Sequence, residues 1–234
     1  MAQPLLLRDG VVARALAAID QFGGLRREAE EGVRSGSVHV ILTDENQGPE
    51  RAAIPMILAV GGVHTHLVKT SLRTFTSLNA RVAECLDVHC FAVLIGAGAT
   101  TVNAYMAQES IADRHRRGLF GALTLTEAVA KYKKAVDKGL LKVMSKMGIS
   151  TYQSYCGAQI FDAIGLSDDF IARYFAGTHS RIGGVGLAEI SRETVSRHTD
   201  AFSTNPVLKN ALDVGGEYAF RLRGEAHAWS PESV

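Results

Sequence analysis

The chain has 234 residues, of which 47% are hydrophobic and 21% charged, so it can bury a substantial core without disulfides or metals. Its 25 basic and 24 acidic side chains leave a formal net charge of +1, which excludes the strongly basic surface of nucleic-acid and anionic-membrane binders. The apolar start at residues 4–7 is too short for a signal peptide, and no stretch reaches the roughly 20 apolar residues of a membrane span. We therefore expect a protein that is neither exported nor inserted.

Strand and helix patterns alternate along the first half of the chain. In order, the sequence predicts a helix over residues 11–34 that breaks at Gly23 and Gly24, a strand over 38–43, a helix from Pro55 towards Val68, a strand over 72–77, a buried helix over 85–95 and a strand over 100–103. This alternation predicts an α/β fold with a mostly parallel sheet, because parallel strands need crossover connections. An incomplete (β/α) barrel-like layout and an open doubly wound sheet both agree with it.

The most regular helix pattern covers residues 125–147. Thr124 and Glu127 have the spacing of a capping box, and Gly148 is suited to a left-handed cap at the other end. Apolar residues recur every three or four positions and predict one buried stripe. Lys142 and Lys146 continue a separate lysine row from Lys138, which is either a solvated face or an anion-attracting face against a neighbouring domain.

After residue 199 the sequence changes in character. Asn205 and Pro206 interrupt the helical pattern, and alternation over residues 218–222 is typical of a half-buried strand. We interpret residues 1–205 as one α/β domain and residues 206–234 as a linker into a further domain.

Two glycine-rich segments are candidates for anion sites. The segment at residues 96–101 follows a predicted helix and carries Thr101 where a third glycine is needed, so a turn is the better interpretation than a dinucleotide loop. The second segment precedes a predicted helix at 187–198, and its backbone amides could approach an anion, aided by a bidentate contact from arginine. Its candidate residues are Arg181, Gly183, Gly184 and Gly186, although tight packing at a helix start also needs glycine.

Metal and thiol chemistry receive little support from the sequence. His64 and His66 lie about 200° apart on a helix, so they cannot share an ion, and no zinc spacing surrounds the cysteines. The three cysteines form no disulfide framework, which is typical of a reducing compartment and predicts a cytoplasmic protein. Cys156 has no histidine close in sequence, so we interpret it as a passive thiol.

Several long, ordered and collinear segments carry a resemblance to a known family: Ile54-Pro55 with HLVKTSLRT (66–74), VHCFAVLIGAGATTVNAY (88–105), LLKVMSKMGIS (140–150), QSYCGAQIFDAIGL (153–166) and YFAGTHSRIGGVGLAEI (174–190). Over residues 30–234 the chain resembles the central domain of the glutamate synthase large subunit, with residues 206–234 similar to the junction into its FMN-binding domain. Cys156 stands where this family usually has arginine or lysine, and Cys90 where a second histidine is common. Loss of a cation at position 156 is expected to weaken charge-based contacts there.

The resemblance implies a role within an oxidoreductase that makes two glutamates from glutamine and 2-oxoglutarate. In that family an amidotransferase domain releases ammonia, and an FMN domain aminates and reduces 2-oxoglutarate with electrons that arrive through iron–sulfur clusters. The implied partners are the remaining domains of the large subunit and a small subunit or ferredoxin as electron donor, with no nucleic acid and no membrane. The resemblance places no catalytic residue, cofactor or metal in this chain, so the fragment alone is expected to be inactive.

Connection of the two active sites, with a lining role near the ammonia path, is therefore the first functional hypothesis. The candidate residues for contacts with neighbouring domains are Lys142, Lys146, Gln153, Ser154 and Gly157. The alternative is an independent α/β protein that binds phosphate or another anion through Arg181 and the segment Gly183 to Gly186.

Overall fold

The computed structural model describes residues 6–7, 13–203, 214–215 and 220–224, with side chains described from residue 23 onward. The chain divides into two compact units, residues 1–195 and 196–234. In the first unit and at its boundary the elements are β1 (Leu6–Leu7), α1 (Ala13–Arg34), β2 (His39–Thr43), β3 (Ala52–Ala53), α2 (Met56–Lys69), a 3-10 turn (Arg73–Phe75), β4 (Ser77–Arg81), α3 (Val88–Gly96), β5 (Thr101–Asn103), α4 (Tyr105–Arg116), α5 (Leu125–Lys146), α6 (Tyr152–Tyr155), β6 (Asp162–Leu166), α7 (Asp168–Tyr174), β7 (His179–Val185) and α8 (Leu187–Ala201).

The main sheet has the strand order β2-β4-β5, and both pairings are parallel. Helices α1, α2 and α3 pack beside one another in one layer, and Leu42 and Leu78 are buried beneath it. On the other face Ile41 remains 48% exposed, and Asn79 and Thr101 are bonded to each other at the surface. The fold class is therefore α/β with parallel sheets, as predicted, and among the described strands no barrel closes.

Helix α2 lies at the centre of the core. Its residues Val60, Val63 and Leu67 have no exposed surface, so the helix is apolar on most sides. A Cβ at Gly61 would lie 2.6 Å from the carbonyl oxygen of Tyr174, which ends α7. Glycine at this position lets the two helices approach at backbone distance, and their packing contributes to one continuous core.

Two details of the predicted elements are wrong. Helix α1 runs without a break through Gly23 and Gly24, since both glycines keep negative φ angles and cost the helix only about 1 kcal/mol each. The alternating residues 72–77 do not form a strand. They form the 3-10 turn, and the strand begins at Ser77, where pairing with β2 and β5 becomes available.

Helix α5 confirms the prediction for residues 125–147 almost to the residue. The Thr124 hydroxyl accepts from the Glu127 amide, and the Glu127 carboxylate accepts from the Thr124 amide across 2.9 Å. Gly148 follows the helix with a φ of 71°, the left-handed cap that the sequence indicated. Local signals at both ends therefore fixed the bounds of this element.

Most of the predicted linker at 206–234 lies outside the described residues. Within the predicted strand at 218–222, the described residues 220–222 form no strand, because the Gly224 amide donates to the Arg221 carbonyl and closes a turn. In the same second unit, the rings of His198 and Phe202 contact each other at the end of α8.

Candidate functional site

A polar cluster forms around the guanidinium of Arg73, which the 3-10 turn places against α2 and the turn between α3 and β5. Its Nε donates to Nδ1 of His64 at 3.1 Å, and Nη1 donates to the Thr76 carbonyl at 2.6 Å. Nη2 donates to the Gly98 carbonyl at 2.9 Å and to the Thr100 hydroxyl at 3.0 Å. This arrangement, here called the Arg73 cluster, connects three segments of the chain. Among the described residues, no carboxylate forms an ion pair with this guanidinium.

The imidazole of His64 is packed between two glycines. A Cβ at Gly98 would collide with the ring, and a Cβ at Gly157 would lie 2.8 Å from its Cε1. Both glycines have left-handed φ angles, 124° and 72°, which other residues adopt only at a cost. Burial, followed by the nearby Arg73 charge, lowers the pKa of His64 to about 4, so the ring is neutral at physiological pH.

Helix α6 and the residue that ends it place Tyr152 and Cys156 next to the turn between α3 and β5. The Tyr152 hydroxyl donates to the Thr100 carbonyl at 2.7 Å, and the Cys156 thiol donates to the Ala99 carbonyl at 3.2 Å. Burial raises the pKa of Cys156, although the Arg73 guanidinium opposes this effect. Cys156 is therefore held as a thiol, with the positive charge of Arg73 close to it.

The Arg73 cluster is suited to holding segments together more than to chemistry. Nucleophilic catalysis would need a base that accepts the proton of the thiol, but Nδ1 of His64 is occupied by Arg73 and Cys156 bonds to a carbonyl. Arg73 donates to the carbonyls of Thr76 and Gly98, and loss of such a bond from a charged donor costs about 1.5–3 kcal/mol. The arrangement therefore fixes two turns, the 3-10 turn that follows α2 and the turn that follows α3.

The candidate anion segment has a different structure from the predicted turn. Arg181, Gly183 and Gly184 lie inside strand β7, where their amides follow an extended backbone, and Arg181 donates to His179 at 3.1 Å. The amide of Gly186 at the start of α8 is already bonded to the Glu189 carboxylate at 2.9 Å. A carboxylate from the chain itself thus occupies the helix start that an anion would need, and no observation favours the anion-binding alternative.

The predicted interface residues are brought together only in part. Gln153, Ser154 and Gly157 lie on α6 and the turn after it, and Gly157 forms part of the Arg73 cluster. Lys142 and Lys146 lie on the exposed side of α5, together with Leu141, which is 64% exposed. These residues remain candidates for contacts with neighbouring domains.

The carboxyl ends of the parallel strands, where open α/β sheets commonly bind ligands, are largely filled by contacts within the chain. Arg81 pairs with Glu45 and lies 5.1 Å from the centre of the Tyr105 ring. Glu84 accepts from the Met56 amide at 2.6 Å and so stabilises the start of α2. Asp44 is 6% exposed, and its Oδ2 accepts from the Ala83 amide.

Within the described part of the chain, no group of three His, Cys, Asp or Glu side chains is placed to hold a metal ion. His64 and His66 diverge, as their spacing predicted: His64 contacts Arg73, and Nε2 of His66 lies 2.7 Å from Glu30. None of the described helices combines the length and apolar character that crossing a bilayer requires.

Sequence reasoning missed the centre of the cluster. Arg73 fell inside a segment that alternates like a strand, and its partners at positions 98 and 100 are distant in sequence. The available signal was the resemblance itself, because Arg73, Thr100 and Cys156 all lie within the segments that carried it.

Comparison with known proteins gives a family match over most of the chain. The model of the glutamate synthase central domain matches residues 11–167. The large chain of an NADPH glutamate synthase from Azospirillum brasilense is 58% identical over 210 residues, which cover 90% of this chain and 14% of that protein. Ferredoxin-dependent glutamate synthase 2 from Arabidopsis thaliana is 42% identical and covers 87% of this chain and 13% of its own length.

A more distant relative, the NADH glutamate synthase of Saccharomyces cerevisiae, is 34% identical over 94% of this chain and 11% of the relative. The chain therefore spans about one seventh of the length of these curated relatives or less.

Proposed function

Because the chain belongs to the glutamate synthase central-domain family, we propose that it connects the amidotransferase and the FMN-bearing synthase sites of a glutamate synthase and has no active site of its own. In this role it forms part of an oxidoreductase that makes glutamate from glutamine and 2-oxoglutarate. Its partners are the other domains of the large subunit, together with a small subunit or ferredoxin as electron donor. The proposal places the protein in the cytoplasm, in agreement with three free cysteines.

The observation that carries the proposal is that the Arg73 cluster is bonded within the chain. Arg73 directs its donors to His64, Thr76, Gly98 and Thr100, so little of its hydrogen-bonding capacity remains for a substrate. A connecting domain needs such rigid contacts, since an error of about 1 Å in the relative placement of catalytic groups can reduce rates 100-fold.

Neither FMN nor an iron–sulfur cluster is assigned to the described residues. A cluster needs three or four cysteine ligands close together, but the described residues include no such group of side chains, and Cys156 donates to a backbone carbonyl. The glycine-rich segment of β7 is extended and offers no phosphate cradle. Both cofactors therefore belong, under this proposal, to other domains of the complete enzyme.

The test separates the two half-reactions in the complete large subunit. The double variant Lys142→Glu with Lys146→Glu changes the exposed lysine row, and Lys133→Glu with Lys134→Glu makes the same charge change elsewhere on α5. We expect the first pair to lower glutamine-dependent glutamate formation several-fold while glutamine hydrolysis and ammonia-dependent synthesis stay within twofold of wild type. The second pair should leave all three rates unchanged.

The 234-residue chain by itself provides the decisive control. Glutamine-dependent oxidation of reduced nicotinamide by the isolated chain, or flavin absorbance after purification, would contradict a purely connecting role. Equal effects of the two lysine pairs would reject Lys142 and Lys146 as interface residues without affecting the rest of the proposal.

A further inference from the structure

Strand β2 has a free backbone edge. Its pairing with β4 uses the backbone groups of alternate residues, as the bond from the Ser77 amide to the Val38 carbonyl shows. The amides and carbonyls of His39, Ile41 and Thr43 therefore face away from β4, since successive residues of a strand point their backbone groups to opposite sides. Among the described strands, none pairs with this side of β2.

The composition of β2 is that of an interior strand. Its sequence, His-Val-Ile-Leu-Thr, contains no lysine, proline or bulge of the kind that protects natural edge strands. At the opposite end of the sheet, β5 is a short strand with exposed Thr101 and Asn103, which is a normal protected edge. The two ends of the sheet therefore differ, and only the β2 end needs a partner.

A groove of about 490 Å³ runs along β2 and under α1. It is lined by every residue of β2 and by Leu25, Ala29 and Gly32 of α1. Asp44 lies at the carboxyl end of this groove; its Oδ2 accepts from the amide of Ala83, two residues after β4, and its carboxylate also faces the Tyr105 hydroxyl.

The order of the crossovers shows which side of β2 a preceding strand would occupy. Helix α2 leads from β2 to β4, and α3 leads from β4 to β5, so each crossover moves one position in the same direction. Parallel crossovers are right-handed in nearly all proteins, and α1 lies in the same layer as α2. A strand that α1 connects to β2 therefore belongs on the far side of β2. Strand β1 does not take this position, because it pairs antiparallel with β3.

We propose that a parallel strand from the same polypeptide, upstream of this chain, pairs with the free edge of β2 and fills the groove beneath α1. The inference rests on the proposed function, in which this chain is part of a much longer protein, as its curated relatives are. The strand is about five residues long, matching β2, with apolar side chains towards α1.

Amide hydrogen exchange tests the pairing. We compare the 234-residue chain with the complete large subunit and follow a peptide that covers residues 38–44, with a β4 peptide over residues 77–81 as the internal control. In the isolated chain the amides of His39, Ile41 and Thr43 should exchange rapidly. In the large subunit these amides should be slowed by about 100-fold or more, while exchange in the β4 peptide is similar in both proteins.

Two results would overturn the proposal. The first is equal exchange of residues 38–44 in both proteins. The second is slow exchange in the isolated chain. If that slow exchange depends on protein concentration, β2 pairs with a second copy of the chain. If it does not, β2 pairs within the chain. Because the readout needs no turnover, activity of the isolated chain would reject the connecting role and leave this result unaffected.

Discussion

The Arg73 guanidinium donates from Nε to Nδ1 of His64 across 3.1 Å, so the imidazole must be neutral with its proton on Nε2 for the bond to exist. Protonation of His64 would place two cations against each other in a half-buried position. The Arg73 cluster is therefore sensitive to acid, and its contribution to stability can be measured by unfolding.

The first prediction concerns pH. The pKa of His64 is about 4 in the folded chain against 6.5 for an ordinary histidine, so between these values the unfolded state binds more protons. The free energy of unfolding should be unaffected by His64 above pH 6.5 and fall by about 3 kcal/mol as the pH drops to 4. Urea titrations at several pH values measure this loss. His64→Gln, which still offers an acceptor, should show a shallower slope between pH 6.5 and 4; identical slopes would rule the mechanism out.

Replacement of the central cation is the second test. Arg73→Gln removes the fork that bonds the carbonyls of Thr76 and Gly98, and we expect it to cost about 2–4 kcal/mol of unfolding free energy. Arg116 pairs with Asp113 on the surface at 73% side-chain exposure, so Arg116→Gln should change stability by less than about 1 kcal/mol. Denaturant midpoints that shift equally in the two variants would show that Arg73 is not a structural centre.

A third prediction separates crowding from backbone strain. Gly157 and Gly118 have φ angles of 72° and 71°, but a Cβ at Gly157 would meet His64, whereas a Cβ at Gly118 has nothing within 4 Å. Gly118→Ala should cost about 1–2 kcal/mol from the left-handed backbone alone. Gly157→Ala should cost about 1–3 kcal/mol more, because the His64 ring must move. Calorimetric melting of both variants measures the difference, and its absence would mean that the ring moves without cost.

The fourth prediction concerns the start of α5. Thr124→Ala removes the hydroxyl that accepts from the Glu127 amide and should cost about 1 kcal/mol. Thr126→Ala, two positions later in the same exposed first turn, makes the same chemical change outside the cap and should stay within about 0.5 kcal/mol. Chemical denaturation of the pair provides the measurement. A larger loss at Thr126 would contradict the capping role.

Local signals in the sequence were sufficient for some elements and not for others. The bounds of α5 were predictable because Thr124, Glu127 and Gly148 act within a few residues of one another. The bounds of β4 were not, because alternation over residues 72–77 says nothing about which neighbouring strands are available for pairing. No prediction was made for helices α4 and α7 or for strand β6. The glycines of β7 were interpreted as a turn, whereas in the structure Gly184 packs directly against the backbone of Gly165 in β6.

The candidate site was harder to predict than the fold. The interpretation of Cys156 as a passive thiol stays a prediction, and the bond from its thiol to the Ala99 carbonyl agrees with it. The role of Arg73 could not be predicted, because a buried guanidinium is identified by its partners, and these lie 25 and 27 residues further along the chain.

The spread of these partners along the chain has a consequence for synthesis on the ribosome. When Arg73 emerges, His64 is already present, but the carbonyl of Gly98 and the glycine at 157 have yet to be translated. At about 5–20 residues per second, several seconds separate the synthesis of Arg73 from that of Gly157, the second glycine packed against the His64 ring. The guanidinium therefore stays hydrated until the segments that bury it have been made, and we expect the core around Arg73 to close only late in synthesis.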